Sequence, residues 1–114
     1  MGLDCVFCKI AKGEIPSKKA YEDDSVLAFY DLDPKAPVHI LIIPKRHIES
    51  VMEITPENSG IVAHLFEVAA KLARENNLTE GFRLVANTGK DGGQTVPHLH
   101  LHLLGGRSMK WPPG

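Results

Sequence analysis

His98-Leu99-His100-Leu101-His102-Leu103-Leu104 decides how this chain is read. Successive side chains of a β-strand point to opposite faces. On a strand, His98, His100 and His102 therefore line one face and Leu99, Leu101 and Leu103 the other. Neighbouring imidazoles would stand roughly 6.5–7 Å apart, two residue rises along the strand. A helix would scatter the same residues around its circumference. The pattern predicts leucines packed inward and a row of imidazoles facing a groove. Imidazole is matched to proton transfer near neutral pH and can also act as a nucleophile. A row of three permits one ring to attack, one to hold or protonate a ligand and one to orient its neighbours or bind a metal. The plainer alternative is a half-buried strand whose outer face happens to be histidine.

Working outward, the preceding loop, Asn87-Thr88-Gly89-Lys90-Asp91-Gly92-Gly93-Gln94-Thr95, combines glycines with amide and hydroxyl side chains. Glycines let backbone N–H groups approach a phosphate, and Asn87, Gln94 and Thr95 offer neutral hydrogen bonds. No Gly-Lys-Ser/Thr opens a helix, so this is not a P-loop. A plain glycine hairpin loop is the competing reading. His39 is a fourth imidazole on a separate β-branched stretch, Val38 to Ile43, closed by Pro44. Lys19 to Glu22 and Ser25 to Asp31 read as strands joined by a turn at Asp23-Asp24, and Phe82 to Asn87 as another. Cys8 to Lys12 reads as a short helix stopped by Gly13.

One long helix is expected, with Thr55 as N-cap, Pro56 in the first turn and Asn76-Asn77 as the stop. Ile61, Val62, Leu65, Phe66, Val68, Ala69, Leu72 and Ala73 recur at helical spacing. Glu67 and Lys71 form an i,i+4 pair on another face, and His64 falls on that solvated side. About five strands with short connections and one substantial helix predict an α+β domain, an antiparallel sheet with the helix across one face. The 114 residues predict a single domain, 1–114.

Thirteen basic and fourteen acidic residues give a net charge of -1, so no global field points to nucleic acid or an anionic membrane. No apolar run is long enough to span a bilayer. Met1-Gly2-Leu3-Asp4-Cys5 lacks the basic and apolar regions of a signal peptide, which makes a cytoplasmic location the expectation. Cys5-Val6-Phe7-Cys8 has the spacing of half a zinc site, to be completed by histidines. Otherwise these are two reduced thiols, as usual in the cytosol.

Gln94-Thr95-Val96-Pro97-His98-Leu99-His100-Leu101-His102-Leu103-Leu104 resembles the signature of the histidine triad (HIT) family, His-φ-His-φ-His-φ-φ with φ apolar. Phe7-Cys8-Lys9-Ile10, Glu14-Ile15-Pro16, Tyr21-Glu22-Asp23-Asp24, Phe29-Tyr30-Asp31, Ala36-Pro37-Val38-His39 and Ile43-Pro44-Lys45-Arg46-His47-Ile48 extend the likeness across the chain. Asp91-Gly92-Gly93-Gln94 and the ending Gly105-Gly106-Arg107…Trp111-Pro112-Pro113-Gly114 are similar to the Hint branch. Related dinucleoside polyphosphate hydrolases share the triad without this tail. Galactose-1-phosphate uridylyltransferases carry glutamine where this chain has His102.

The resemblance implies a HIT-like fold and a homodimeric purine nucleoside 5'-monophosphoramidase that cleaves the P–N bond of AMP and GMP amidates. It implies His100 as the nucleophile that forms a nucleotidyl-histidine, His102 and Thr95 as phosphate contacts with Asn87 and Gln94 beside them, and His39 flanking the site. It further implies Asp31 on the ribose hydroxyls, Leu32, Phe7, Ile10 and Val6 around the base, and Trp111 near the partner's site. A frayed terminus is the plainer reading of that tail. Some bacterial relatives imply structural zinc on Cys5, Cys8, His47 and His98, with none needed for catalysis. Two other functions compete: a metal-dependent phosphohydrolase with three imidazoles around an open zinc, and a nucleotide-binding interaction module.

Overall fold

The computed structural model describes residues 5–114; the leader reading of residues 1–4 lies outside them. Its elements are α1 (Val6–Ala11), β1 (Lys19–Glu22), β2 (Val26–Tyr30), β3 (Val38–Pro44), a single 3-10 turn at Val51–Glu53, α2 (Ser59–Glu75), β4 (Phe82–Val85) and β5 (Leu101–Gly105). The strands form one sheet in the order β1-β2-β3-β5-β4, and every neighbouring pair is antiparallel. This is the α+β architecture that the sequence predicts. No helix among the described residues is long and apolar enough to cross a membrane.

The period of two sorts β2, β3 and β5 onto two cores. Val26, Ala28, Ile40, Ile42, Leu101 and Leu103 pack against Leu65, Val68, Ala69 and Leu72 of α2. Leu27, Phe29, Leu41 and Ile43 point the other way and pack against Cys5, Phe7 and Cys8. Covering both faces explains why β2 and β3 read as continuous apolar runs rather than alternations. Leu99, Leu101 and Leu103 are buried toward α2, as the alternation requires. The triad face is therefore the α1 face.

The strand itself is shorter than expected. His98 and His100 precede β5, and the ladder to β3 stops at Ile42↔Leu101. Extending that register would place Pro44 opposite Leu99, and proline has no N–H to donate. The Leu99 amide instead donates to the Ile48 carbonyl (2.6 Å), and the Pro44 carbonyl accepts from the His98 ring (2.8 Å). The rings also lean together: His100 and His102 have centroids 5.1 Å apart, closer than an ideal strand sets them.

Helix α2 begins later than Thr55. Its N-cap is Asn58, whose side chain makes no cap bond to the helix. That side chain turns back, accepting from the Thr55 amide (2.8 Å) and donating to the Glu53 carbonyl (3.0 Å). Thr55 to Asn58 thus form a turn leading into the helix. At the other end Asn77 takes the left-handed conformation (φ 58°), the stop expected from Asn76-Asn77. The Glu67–Lys71 pair does not form: Lys71 pairs with Glu75, and Glu67 accepts from His64 (2.8 Å). His64 is therefore not simply solvated. Its Nε2 lies 2.6 Å from Asp23, tying α2 to the β1–β2 turn. Asp23 also accepts from the Ser25 and Val26 amides, which makes that turn tight, as its sequence suggests.

Candidate active site and metal centre

A hollow of about 480 Å³ opens on the α1 face between α1, β2 and the loop before the triad. Val6, Phe7, Ile10, Asp31, Leu32, Asn87, Thr95, His100 and His102 all line it, so most of the sequence-derived set converges. Ile15, Lys18 and Val96 line it too and were not singled out from the sequence. Trp111 is 82% exposed and is not among the lining residues of its own chain's hollow. A larger hollow, about 720 Å³, lies beside the α2–β4 loop and holds no histidine.

Two expectations for the Gly-rich loop change. The Gly93 and Gln94 amides donate to the Lys90 and Gly89 carbonyls, and the Gly89 amide donates to Gln94 Oε1. These N–H groups close the loop on itself rather than facing the hollow. Gln94 also donates to the Glu49 and Val96 carbonyls (2.8 and 3.0 Å), so it braces the loop instead of reaching the hollow beside Thr95. The glycines are required for closeness: a Cβ on Gly92 would collide with the Thr88 backbone, and Gly93 has φ 76°. Asn87 does line the hollow while its amide holds the Gly92 carbonyl.

Fixed donors and acceptors determine where each imidazole carries its proton. The Lys35 amide donates to His39 Nδ1 (3.0 Å), so neutral His39 is protonated at Nε2. His39 Nε2 lies 2.9 Å from His102 Nδ1 and donates to it, which leaves the His102 proton on Nε2. His100 Nδ1 lies 2.6 Å from the His98 carbonyl oxygen, which can only accept. His100 therefore keeps a bare lone pair on Nε2. This ring is 5% exposed and lines the hollow. Burial lowers the pKa of His39, and burial together with the neighbouring rings brings His102 down to about 4. Both rings are neutral near pH 7, the state in which this relay of protons is defined.

The first triad histidine belongs elsewhere. His98 is fully buried, with Nδ1 3.3 Å from Cys5 Sγ, 3.5 Å from Cys8 Sγ and 3.2 Å from His47 Nδ1. His47 Nδ1 is 3.2 Å from Cys8 Sγ. The four ligand atoms lie within 4.8 Å of one another. A tetrahedral zinc with bonds of about 2.0–2.1 Å to nitrogen and 2.3 Å to sulfur has edges near 3.3 Å and 3.6 Å. The nitrogen–nitrogen spacing of 3.2 Å and the nitrogen–sulfur spacings of 3.2, 3.3 and 3.5 Å come close to those edges. The donor set fits as well: the His98 Nε2–H is taken by the Pro44 carbonyl, so Nδ1 presents a lone pair to the centre. Burial holds His98 at a pKa of about 4 and raises the Cys8 thiol. Asp31, His39 and His102 also gather three ligand-type atoms. There the Lys35 amide commits the His39 proton to Nε2, the atom a metal would need bare. With His98 turned to the thiols, an open site of three triad imidazoles does not form.

A family model for the HIT domain matches residues 12–109. The chain belongs to the HIT domain family. An uncharacterized HIT-like protein of Synechococcus elongatus is 54% identical over 114 residues, the whole of both chains. The 14 kDa zinc-binding protein of Brassica juncea is 47% identical over 97% of this chain and all of that protein. Among solved structures, a HIT family hydrolase from Legionella pneumophila superposes with a TM-score of 0.95 at 52% identity, covering 97% of this chain and 100% of that one. A histidine triad protein from Clostridium difficile gives 0.92 at 52% identity, covering 95% of each. The HIT fold is thus matched along nearly the full chain, triad included.

Proposed function

We propose that this HIT protein is a purine nucleoside 5'-monophosphoramidase of the Hint branch. The bare Nε2 of His100 at the wall of the hollow carries this reading. Attack by that lone pair on the phosphorus of a nucleoside phosphoramidate forms a P–N bond to His100. A proton on the substrate nitrogen lets the old P–N bond break, and the amine leaves neutral. The resulting imidazolium keeps its Nδ1–H on the His98 carbonyl, an acceptor already in place as positive charge develops. Water then displaces His100 and releases the nucleoside monophosphate. His102 Nε2–H and the Thr95 hydroxyl bind the phosphate oxygens, with Asn87 beside them. Asp31 accepts from the ribose diol, a pairing suited to a carboxylate. Phe7, Ile10, Leu32 and Val6 supply apolar walls for the base, which select by shape and stacking.

Two further parts of the reading are structural zinc on Cys5, Cys8, His47 and His98, and a second copy of the chain. The zinc-binding relative supports the first. The exposed Phe82 on edge strand β4 and the exposed Trp111 support the second. Replacing His100 with alanine tests the activity: hydrolysis of adenosine 5'-phosphoramidate falls by on the order of 10⁴ or more while AMP still binds. Undiminished turnover in that variant rejects the proposal.

A further inference from the structure

Phe7 falls between Cys5 and Cys8 in sequence, and its ring meets that of His100 edge to face, with centroids 5.1 Å apart and planes at 87°. The same ring meets His98 at 6.0 Å and Phe29 at 5.6 Å. Phe7 is therefore more than a wall of the hollow: it is wedged between the candidate nucleophile and the sheet. Helix α1, which carries it, has six residues, too few to persist without tertiary anchors. Its buried residues are Phe7 and Cys8, and Phe7 packs in one apolar cluster with Cys5 and Cys8.

His100 is thus gripped from two directions. Its Nδ1–H is held by the His98 carbonyl, and its ring plane is held by Phe7. Both grips run back to the same cluster. His98 is one ligand-type residue, and Cys5 and Cys8, which anchor the Phe7 helix, are two more. Together with His47, these residues would hold an ion, and holding it would fix both grips on His100 at a distance from the nucleotide.

We infer that Phe7 is a positioning residue for His100, and that zinc on the Cys5–Cys8–His47–His98 cluster tightens nucleotide binding by fixing Phe7 and His98 around that ring. The inference rests on the proposed function for its view of His100. The coupling is reciprocal: whatever factor zinc adds to nucleotide affinity, nucleotide adds to zinc affinity.

The experiment is a calorimetric cycle with AMP and zinc on the full chain, wild type and Phe7→Leu, joined to ring-nitrogen NMR of His100. In wild type, zinc tightens AMP binding by on the order of tenfold, and AMP tightens zinc by the same factor. Removing zinc by chelation shifts His100 from one tautomer to a mixture. In Phe7→Leu the coupling between zinc and AMP shrinks, the His100 ring-nitrogen signals of the zinc-loaded variant depart from those of zinc-loaded wild type, and kcat falls by about tenfold or more. A residue that only walls the base instead lowers AMP affinity, leaving kcat, the His100 ring signals and the coupling unchanged, and this overturns the inference. Equal AMP affinity with and without zinc in wild type also overturns it. If chelated protein unfolds, the zinc-loaded variant decides alone. If zinc shifts AMP affinity and the His100 ring as described but no phosphoramidate is hydrolysed, the clamp stands and the proposed activity fails.

Discussion

The two histidine clusters of this HIT protein use the same side chain in opposite ways. At Cys5, Cys8, His47 and His98, the ring proton of His98 is drawn outward to the Pro44 carbonyl and lone pairs converge on a centre. At His39 and His102, the Lys35 amide drives protons inward along a line of nitrogens. One arrangement suits a cation and the other orients hydrogen-bond donors toward a ligand. A backbone group decides in each case, because a carbonyl can only accept and an amide can only donate. His100 sits between them, with its Nδ1–H on the His98 carbonyl and its ring in the wall of the hollow.

The sharpest way to break this contrast is to remove one cluster and watch the other. Cys8→Ser is expected to lose tight zinc binding. With free zinc at 100 to 1,000 times Kd for the wild type, the variant should then be less stable by about 3–4 kcal/mol, read from denaturant unfolding with and without the metal. The His39–His102 contact should survive in its folded state. Unchanged zinc affinity would show that the thiols do not belong to a metal centre. His39→Ala attacks the other side. It releases the His102 tautomer and is expected to lower kcat by about 10–100-fold, with zinc affinity unchanged.

The smallest expected effect is the pH response, and its sign separates buried from surface histidines. His102 and His39 have pKa values below the ordinary 6.5, so the unfolded chain binds protons that the folded chain refuses. Their contribution is intact above about pH 6.5 and is lost as pH falls toward about 4. His64 is the reverse. Asp23 and Glu67 raise its pKa, so its contribution is full below about 6.5 and fades as pH rises through the raised value. Thermal melts from pH 5 to 8 should show His102→Gln flattening the acid loss. His64→Gln should flatten the neutral one, by less than about 1 kcal/mol. Identical pH profiles for both variants would contradict the assignment.

Much of this was legible in the chain itself. The leucines between the histidines marked the face that packs against α2, and the apolar runs of β2 and β3 gave the centre of the sheet. The Cys-x-x-Cys spacing marked half of the Cys5–Cys8–His47–His98 cluster. What escaped depends on partners distant in sequence. Nothing near Leu99 signals that Pro44 lies opposite it and ends the ladder. The Thr55-Pro56 pair is a good helix start, but the Asn58 side chain, engaged with Thr55 and Glu53, delays it. Gln94 looks like a ligand group until its bonds to Glu49 and Val96 are seen. The Lys35 amide that sets the His39 proton leaves no trace in side-chain identity.

Long-range proton–nitrogen NMR of the histidine rings near pH 7 tests the central claim most directly. The account predicts His100 protonated at Nδ1 with Nε2 bare, His39 and His102 protonated at Nε2, and His98 with its proton on Nε2. A His100 ring carrying its proton on Nε2 would leave no lone pair facing the hollow and would contradict it.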